Sequence, residues 1–340
     1  VHAFGGATIS GAGRSWLLLR ALMAILREHQ KGRFDVFHAL WADEPGLVAL
    51  IVSSLTGVPA VVSLLGGELI EMQEINYGHQ LSRFARLAVR QSLTYIRHIT
   101  VGSQSLKKRA MEQNHVPETR LTVIPLGVDT DLFTPEGKTQ SLAGGFKLLH
   151  VASLSPIKNQ TLLLRAVGIA AETLPELHLH IVGDGALRPV LEKMTNDLGI
   201  TSKVTFHGDV THENLPEFYR AADLCLLTSH YESQSMVALE AGACGKLTVG
   251  TAVGILPELL PPDLMVSPDA KDASEALTRI ILRLAQDGDL RERLRQQVHQ
   301  QVVTQYDLAT SLQRWEAVYA AAIADKQLRS TRQSSRTAPE

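Results

Sequence analysis

Two glutamates after one apolar strand pattern are the strongest indication of chemistry in the sequence. Glu232 lies in the loop that follows the strand pattern Leu224–Leu227, and Glu240 lies on the helix predicted at Met236–Cys244. The loop between them can present free backbone N–H groups where that helix begins. This arrangement suits a pyrophosphate at the helix end, with a carboxylate on each side for sugar hydroxyls. Two glutamates at this separation also occur by chance, but their placement directly after a strand favours the functional interpretation.

A lysine occupies a comparable position after another strand pattern. Lys158 follows the pattern Lys147–Val151 and a turn with two serines and a proline, just before the helix predicted at Gln160–Ala171. A helix N-terminus attracts anions through its free N–H groups and its dipole, and a lysine there adds a full positive charge. Taken alone, Lys158 is explained equally well as a solvated surface residue.

Glycine-containing turns follow two further strand patterns. They are Gly183-Asp184-Gly185 and His207-Gly208-Asp209-Val210. Glycine lets a backbone approach a ligand closely. Ordinary turns use glycine as well, so neither turn identifies a site by itself.

Strand and helix patterns alternate along most of the chain, which predicts parallel sheets joined by crossover helices. The predicted strands are Asp35–Ala39, Ala60–Leu64, His98–Val101, Leu121–Ile124, Lys147–Val151, His178–Val182, Val204–Phe206, Leu224–Leu227, Leu247–Val249 and Leu264–Val266. The alternation pauses at Pro125–Gly145, where glycine and proline indicate a linker. The prediction is an α/β protein with two doubly wound domains, whose ligands bind beyond the carboxyl ends of the strands.

The same alternation sets the predicted domain boundaries. The N-terminal domain covers residues 1–143, and the C-terminal domain covers residues 144–306. Residues 307–328 are predicted to form a helix that packs back on the N-terminal domain. The polar residues 329–340 are predicted to form a disordered tail.

The overall composition excludes several classes of protein. The 340-residue chain has 33 Lys and Arg against 35 Asp and Glu, which gives a net charge of -2. A general nucleic-acid binder would carry a basic excess. No apolar run reaches the roughly 18 residues of a membrane span, and no secretory signal is visible. Cys225 and Cys244 lie in apolar contexts without a CxxC neighbour, which predicts buried thiols, so we expect a cytoplasmic protein.

Motifs in a fixed order along residues 35–260 resemble those of the retaining glycosyltransferases of family 4, which have the GT-B fold of two Rossmann-like domains. In chain order the motifs are Asp35-Val-Phe-His38-Ala, Val123-Ile-Pro125-Leu-Gly127-Val-Asp129, His150-Val-Ala-Ser-Leu-Ser-Pro-Ile-Lys158, Ile181-Val-Gly183-Asp-Gly185, Val204-Thr-Phe-His-Gly208-Asp-Val210, Ala222-Asp223-Leu-Cys-Leu-Leu-Thr-Ser229, Glu232 through Glu240, and Gly250-Thr-Ala-Val-Gly254. The resemblance implies a nucleotide-sugar donor on the C-terminal domain and an acceptor (glycan, lipid or small molecule) on the N-terminal domain. It also implies transfer in the cleft between them, with no cofactor and no obligatory metal.

The resemblance further implies roles for individual residues. Lys158 matches the base that neutralises the leaving diphosphate, and Glu232 matches the carboxylate on the donor-sugar hydroxyls, so these two are the expected catalytic residues. Glu240 matches the ribose ligand, and Val210 lies where the nucleobase meets backbone. The other expected donor-binding residues are Ser153, Gly183, Gly185, Gln234, Ser235, Met236 and Val237. The expected acceptor-side residues are His38, Gly66 and Gly67.

The sequence departs from the family pattern in four respects, one of which is Gly245-Lys246-Leu247 in place of the family's Gly-Thr-Pro. Ser153 stands where the family usually has an arginine beside the phosphate, and Leu65-Gly66 replaces a commonly seen His-Gly. In addition, the family's first strand and glycine-rich loop normally precede the region where this chain starts. We therefore expect an N-terminally truncated chain with an incomplete acceptor domain.

Two alternatives to glycosyl transfer stay open on the sequence alone. One is another GT-B enzyme, such as a nucleotide-sugar epimerase or a phosphorylase, which the pairing of Glu232 with Glu240 disfavours. The other is a catalytically degenerate nucleotide-sugar-binding protein, which the departures at Ser153 and Leu65 favour.

A basic stretch in the N-terminal half suggests a further partner. No acid occurs from Ile75 to Met111, whereas seven bases do: Arg83, Arg86, Arg90, Arg97, Lys107, Lys108 and Arg109. The four that come first fall on one face of a helix. This pattern predicts that residues 81–109 contact an anionic membrane at its inner face. A solvated helix face, or a surface that attracts an acidic acceptor, explains the pattern as well.

Overall fold

The computed structural model describes residues 12–336 of the chain. The described residues divide into two compact units, one holding residues 12–102, 106–124 and 313–336, and the other holding residues 103–105 and 125–312. Residues 1–11 of the predicted N-terminal domain and residues 337–340 of the predicted tail lie outside the described part.

The first unit is built on a four-stranded parallel sheet in the order β1-β2-β3-β4. Its strands are β1 (Phe37–Leu40), β2 (Ala60–Leu64), β3 (His98–Val101) and β4 (Leu121–Val123). The helices that precede or connect them are α1 (Ala12–Gly32), α2 (Glu44–Thr56), α3 (Arg83–Tyr95) and α4 (Gln104–Asn114). Every residue of β2 is buried, as expected for a strand whose two faces are both covered by helices.

The second unit contains a six-stranded parallel sheet in the order β10-β9-β8-β5-β6-β7. Its strands are β5 (Phe146–Val151), β6 (Leu177–Val182), β7 (Val204–Gly208), β8 (Leu224–Leu227), β9 (Thr248–Thr251) and β10 (Met265–Val266). Its helices are α5 (Gln160–Thr173), α6 (Arg188–Asp197), α7 (Leu215–Ala221), α8 (Met236–Ala243), α9 (Leu256–Leu259), α10 (Ala273–Gln286) and α11 (Gly288–Gln305).

The strand order of the second sheet contains one reversal. The chain builds outward from β5 through β6 to β7, and then returns to place β8 on the other side of β5. The crossovers that leave β5 and β8 therefore lead to opposite sides of the sheet. We call the region at the carboxyl ends of these two strands the crevice. Such a reversal is where open α/β sheets bind their ligands.

The last helix, α12 (Leu308–Arg336), belongs to both units. In the first unit, its residues Val318 and Ala322 are buried together with Val61 of β2 and Ile124. The helix continues through Arg336, beyond Leu328, where the sequence analysis placed the start of a disordered tail. Within residues 12–336, no helix is both long enough and apolar enough to cross a bilayer.

The α/β class and the two parallel sheets confirm the prediction from the sequence. The strand bounds agree to within a residue or two, and both cysteines are buried and unpaired, as predicted. Burial raises the pKa of each thiol to about 12, so both stay protonated. Helix α1 was not predicted, although its apolar residues Leu18, Leu22 and Ile25 recur at helical spacing. These residues pack against a buried cluster within the first unit.

A buried histidine holds the end of β5 in place. His150 is wholly buried, its Nδ1 lies 2.9 Å from the carbonyl oxygen of Leu226 in β8, and its Nε2 lies 3.4 Å from Nε2 of Gln160. A carbonyl only accepts, so Nδ1 carries the proton and Nε2 accepts from Gln160. Burial lowers the pKa of His150 to about 4, which keeps the ring neutral.

We expect His150→Asn to make the protein less sensitive to acid. Because the folded pKa lies below the unfolded value of 6.5, the unfolded state binds more protons between these values, and stability falls as the pH falls through that window. One pKa unit corresponds to about 1.4 kcal/mol. Between neutral pH and about pH 4, the free energy of unfolding should therefore fall by about 3 kcal/mol more in the wild type than in the variant. Denaturant titrations at several pH values test this; parallel pH curves for the two proteins would contradict it.

Candidate active site

The loops after β5 and β8 are joined by hydrogen bonds at the reversal of the second sheet. Thr228 Oγ1 donates to the carbonyl oxygen of Lys158 at 3.0 Å, and the N–H of His230 donates to the carbonyl oxygen of Ile157 at 2.8 Å. The loops meet because their strands are neighbours, with Leu148 and Leu149 of β5 opposite Leu224 and Cys225 of β8. Two segments whose contacting residues Thr228 and Lys158 are 70 residues apart in sequence thus form one surface.

Lys158 and Glu232 form an ion pair on this surface. Lys158 Nζ lies 2.6 Å from Glu232 Oε1, and Ser229 Oγ donates to the same oxygen at 2.6 Å. The two side chains are 26% and 13% exposed. Each charge is therefore compensated within the protein yet open to solvent on one side, so an incoming anion competes with Glu232 for the ammonium group.

A short helical turn positions Lys158. Pro156–Lys158 form one turn of 3₁₀-helix, and Asn159 follows in the left-handed region at φ 47°. The side chain of Asn159 accepts from the N–H of Leu162 at 3.3 Å and so caps α5. Asparagine suits both tasks, because it tolerates the left-handed region and caps helices well. The cap fixes the point at which the chain turns, and with it the position of Lys158.

The residue before α8 has a strained backbone. Ser235 has φ 80° and ψ 83°, it is buried, and its hydroxyl has no hydrogen-bond partner among the described residues. Its side chain does not cap α8, so the N–H groups of the first turn are left for another acceptor. Residues in such conformations cluster at ligand-binding sites, where the surrounding structure holds them.

Neighbouring backbone holds that strained segment. The side-chain oxygen of Gln234 accepts from the N–H of Leu126 at 2.8 Å, and its carbonyl oxygen accepts from the N–H of Ile255 at 2.7 Å. Gly254, at φ 58°, passes so close that a Cβ there would lie 2.4 Å from the carbonyl oxygen of Gln234. The loop before α8 is thus fixed from both sides, with Met236 and Val237 in the first turn of the helix.

Glu240 is held deeper in the same site. It is only 6% exposed, and its Oε2 accepts from Tyr219 Oη at 2.7 Å. Burial, reinforced by the charge of Glu240, raises the pKa of Tyr219 well above 10, so the phenol remains a donor. The second carboxylate oxygen lies 3.6 Å from Nε2 of the exposed His212. Glu240 therefore presents one oxygen that can accept from a ligand hydroxyl.

The glycine turn after β6 supports the β5 loop. Gly183 and Gly185 have φ 117° and 159°, and a Cβ on them would lie 2.1 Å and 2.5 Å from the carbonyl oxygens of Ala152 and Leu154. Only glycine permits this approach. Both glycines thus brace the loop that carries Ser153, whose hydroxyl lies 3.2 Å from that of Ser155. Val210, after β7, is half-buried against the core of the unit.

The expected acceptor-side residues all lie in the first unit, where His38 takes part in an internal network. Its Nδ1 lies 2.8 Å from Tyr319 Oη, and its Nε2 lies 2.7 Å from Ser63 Oγ, which in turn lies 2.8 Å from Thr100 Oγ1. Burial lowers the pKa of His38 to about 4. Both ring nitrogens are engaged and the ring is neutral, so this histidine bridges β1, β2 and α12.

Gly66 and Gly67 form a loop around a carboxylate that sequence analysis did not select. Glu68 is fully buried, and its two oxygens accept from the N–H groups of Leu65 and Gly66 at 2.9 Å and 2.7 Å. Burial raises the pKa of Glu68. The feature of the sequence that could have identified Glu68 is its position directly after two glycines at the end of a strand.

Asp43 and His79 form an ion pair near the end of β1. Nδ1 of His79 lies 2.8 Å from Oδ2 of Asp43, and this contact with the carboxylate raises the pKa of His79. Asp43 is buried, and Trp41 beside it is exposed in a strained conformation at φ 118°. The sequence drew attention to Asp43 in a loop after a strand and to His79 as a candidate for the acceptor side, but it did not predict that the two residues pair, because they are distant in sequence.

The fold defines a doubly wound α/β protein of the GT-B type, and the candidate site lies at the reversal of its second sheet. Family comparison makes this assignment specific. The model described as "Glycosyl transferases group 1" matches residues 136–301, and the model described as "Glycosyltransferase Family 4" matches residues 1–132. Together the two models account for most of the chain, which therefore belongs to the glycosyltransferases that contain these two domains.

Individual relatives and solved structures agree with this membership. D-inositol 3-phosphate glycosyltransferases of Thermobispora bispora and Frankia alni are 28% and 33% identical to the chain over 243 and 251 residues. Each match covers 66% of the chain, and the chain spans 56% and 59% of the two relatives. HepE of Anabaena, solved in complex with UDP, superposes with a TM-score of 0.74 at 21% identity over 90% of the chain and 82% of HepE. Sucrose-phosphate synthase of Thermosynechococcus elongatus superposes with a TM-score of 0.71 at 21% identity over 94% and 79%.

Replacing the strained Ser235 by glycine should stabilise the protein. A non-glycine residue in such a conformation costs on the order of 1–3 kcal/mol, so Ser235→Gly should raise the free energy of unfolding by about 1 kcal/mol. Ser155→Gly is the matched control: Ser155 is extended at φ -137°, and its replacement should lower stability by about 0.5–1 kcal/mol. Denaturant titration measures both, and an equal loss in the two variants would show that Ser235 is not strained.

Proposed function

We propose that this protein is a retaining glycosyltransferase that uses a nucleotide-sugar donor, and that the donor binds in the crevice of the second unit. The observation that carries the proposal is the ion pair of Lys158 with Glu232, in which Glu232 belongs to the loop that leads into α8, the helix that carries the buried Glu240. A cation and a helix N-terminus suit a diphosphate, and two carboxylates suit sugar hydroxyls. These are the chemical groups of a nucleotide sugar, arranged along one crevice.

The diphosphate would take the place of Glu232 beside Lys158. In the free protein the ammonium group is paired at 2.6 Å, and a diphosphate with two or more negative charges competes well for it. The N–H groups of the first turn of α8 would then bind the remaining phosphate oxygens, since the side chain of Ser235 does not cap that turn. The exchange releases Glu232, which is free to accept hydrogen bonds from the hydroxyls of the donor sugar.

Glu240 would bind the ribose. Tyr219 holds one of its oxygens, so the other keeps a fixed direction and can accept from a ribose hydroxyl. A prepositioned acceptor costs little side-chain entropy when the ligand binds. Because the ribose is present in both donor and nucleotide product, this contact would stabilise both.

The relatives support a uridine nucleotide as the donor and a hydroxyl compound as the acceptor. HepE of Anabaena is solved with UDP and with UDP-glucose, and the curated relatives are named for D-inositol 3-phosphate. We therefore propose a UDP-sugar as the first donor to test.

We propose transfer with retention because the resemblance to the retaining glycosyltransferases of family 4 implies it. The bond between the anomeric carbon and the phosphate oxygen breaks, the acceptor oxygen bonds to the anomeric carbon on the same face, and the acceptor proton passes to the departing phosphate. Negative charge develops on the diphosphate as it leaves. Lys158 and the α8 N-terminus are placed to stabilise that charge, which is the electrostatic contribution that lowers such barriers most.

Removing the lysine should weaken nucleotide binding. Lys158→Ala is expected to reduce the affinity for UDP by about 1.5–3 kcal/mol, the range for a hydrogen bond to a charged group. Lys193→Ala is the matched control, because Lys193 is exposed and pairs with Asp197 instead. Isothermal titration calorimetry measures both. Unchanged affinity for UDP in Lys158→Ala would show that the diphosphate does not bind beside Lys158.

The two glutamates should differ in effect. Glu232→Gln should reduce turnover strongly yet leave the affinity for UDP unchanged or raised, since the variant no longer competes for Lys158. Glu240→Gln should weaken both turnover and UDP binding, because the ribose contact is lost. Donor hydrolysis or transfer assays together with calorimetry separate these effects. Equal losses of UDP affinity in both variants would contradict this division of roles.

A further inference from the structure

One face of α3 carries positive charge that the protein itself does not neutralise. Arg83, Arg86 and Arg90 are exposed. Within residues 12–336, none of their guanidinium groups has an ion pair or side-chain hydrogen bond. Some exposed bases on other helices do have such partners: Lys193 of α6 pairs with Asp197 at 2.5 Å. Three exposed arginines without a partner in the described part of the chain therefore lie together on this one helix.

The unpaired basic surface is smaller in the structure than the stretch 81–109 predicted from the sequence. Lys107 and Lys108 pair with Glu118 and Glu112 at 2.8 Å and 3.9 Å. Arg97 lies beyond the end of α3 at Tyr95, so it does not extend the helical face as the spacing had indicated. It lies 3.9 Å from Asp325 instead. Of the stretch 81–109, α3 alone presents a run of arginines without carboxylates.

The arginines form one stripe with an exposed leucine among them. Arg83, Leu87 and Arg90 follow one another at spacings of four and three, with Arg86 beside them, so all four side chains lie on one side of the helix. Leu87 is 55% exposed. At about 1.5 Å per residue, the stripe from Arg83 to Arg90 is about 10 Å long.

The packing of α3 fixes this face toward the outside of the unit. Its opposite face buries Ala85, Ala88, Val89, Ser92 and Leu93. Gly46 of α2 lies so close that a Cβ there would be 2.6 Å from Ser92 Oγ. The helix cannot rotate about its axis without losing this contact, so the arginine stripe keeps its direction.

We propose that the arginine stripe of α3 is a docking surface for a bilayer that contains anionic lipid. A convex helix face has no cleft for a small anion, whereas lipid headgroups form an extended negative surface that all three guanidinium groups reach at once. Leu87 adds an apolar side chain that can enter the headgroup region between them. Each arginine near an anionic membrane surface strengthens binding about fivefold, which corresponds to about 1 kcal/mol.

Vesicle cosedimentation tests the proposal. The full chain is mixed with phosphatidylcholine vesicles that contain or lack phosphatidylglycerol. Binding is expected only with phosphatidylglycerol, and it should fall as salt rises, because exposed charges are screened. At about fivefold per basic residue, Arg86→Glu with Arg90→Glu should reduce partitioning by at least about 25-fold. Leu87→Ala, which keeps the charge, should reduce it several-fold.

A matched control separates the stripe from net charge. Arg279→Glu with Arg283→Glu makes the same change of charge at the same spacing on α10, where the arginines pair with Asp272 and Asp263. This variant should bind vesicles like wild type. The docking proposal is wrong if wild type does not bind anionic vesicles at low salt, if it binds neutral vesicles equally, or if both double variants lose binding alike. Binding to a soluble polyanion such as heparin, without binding to vesicles, would likewise overturn it.

Vesicle binding is measured independently of the proposed nucleotide site. UDP affinity should stay the same in all of these variants, and circular dichroism should confirm that each is folded. Failure of the docking proposal would therefore leave the proposed donor site untouched, and the reverse also holds.

Discussion

The parallel pairing of β5 with β8 is the constraint on which the candidate site depends. Leu148 and Leu149 lie opposite Leu224 and Cys225, although the chain visits β6 and β7 between these two strands. This return across the sheet brings the two loops together at its carboxyl edge. The Lys158–Glu232 pair, the start of α8 and Glu240 all take their positions from it. A sheet with consecutive strand order would separate these groups.

The site combines rigid support with one exchangeable contact. Gly183, Gly185 and Gly254 allow backbones to approach closely and so fix the loops around the crevice. Tyr219 fixes Glu240. By contrast, Lys158 and Glu232 are held mainly by each other and by Ser229. A diphosphate would supply its own negative charge to Lys158, so the ammonium group would keep an anionic partner when the pair breaks.

Sequence patterns predicted the fold well because both sheets are regular. Near-continuous apolar runs marked the buried strands, and the turns after them directed attention to Lys158, Glu232 and Glu240. What the sequence could not supply was the three-dimensional pairing. Nothing in the spacing predicts that Lys158 contacts Glu232.

The first unit was harder to interpret from sequence. His38 was selected because it follows a strand, and the structure places it in a network with Ser63 and Tyr319. The pair of Asp43 with His79 was missed for the opposite reason, since long-range contacts leave no local pattern. Pairs of this kind depend on how loops fold over a sheet edge, which hydrophobic periodicity does not encode.

The most direct test of the central claim is a crystal structure of the protein with UDP. The account predicts that the diphosphate lies at the N-terminus of α8, with Lys158 Nζ within hydrogen-bond distance of a phosphate oxygen and no longer paired with Glu232. A diphosphate bound elsewhere, or a Lys158–Glu232 pair still at 2.6 Å beside bound nucleotide, would contradict it.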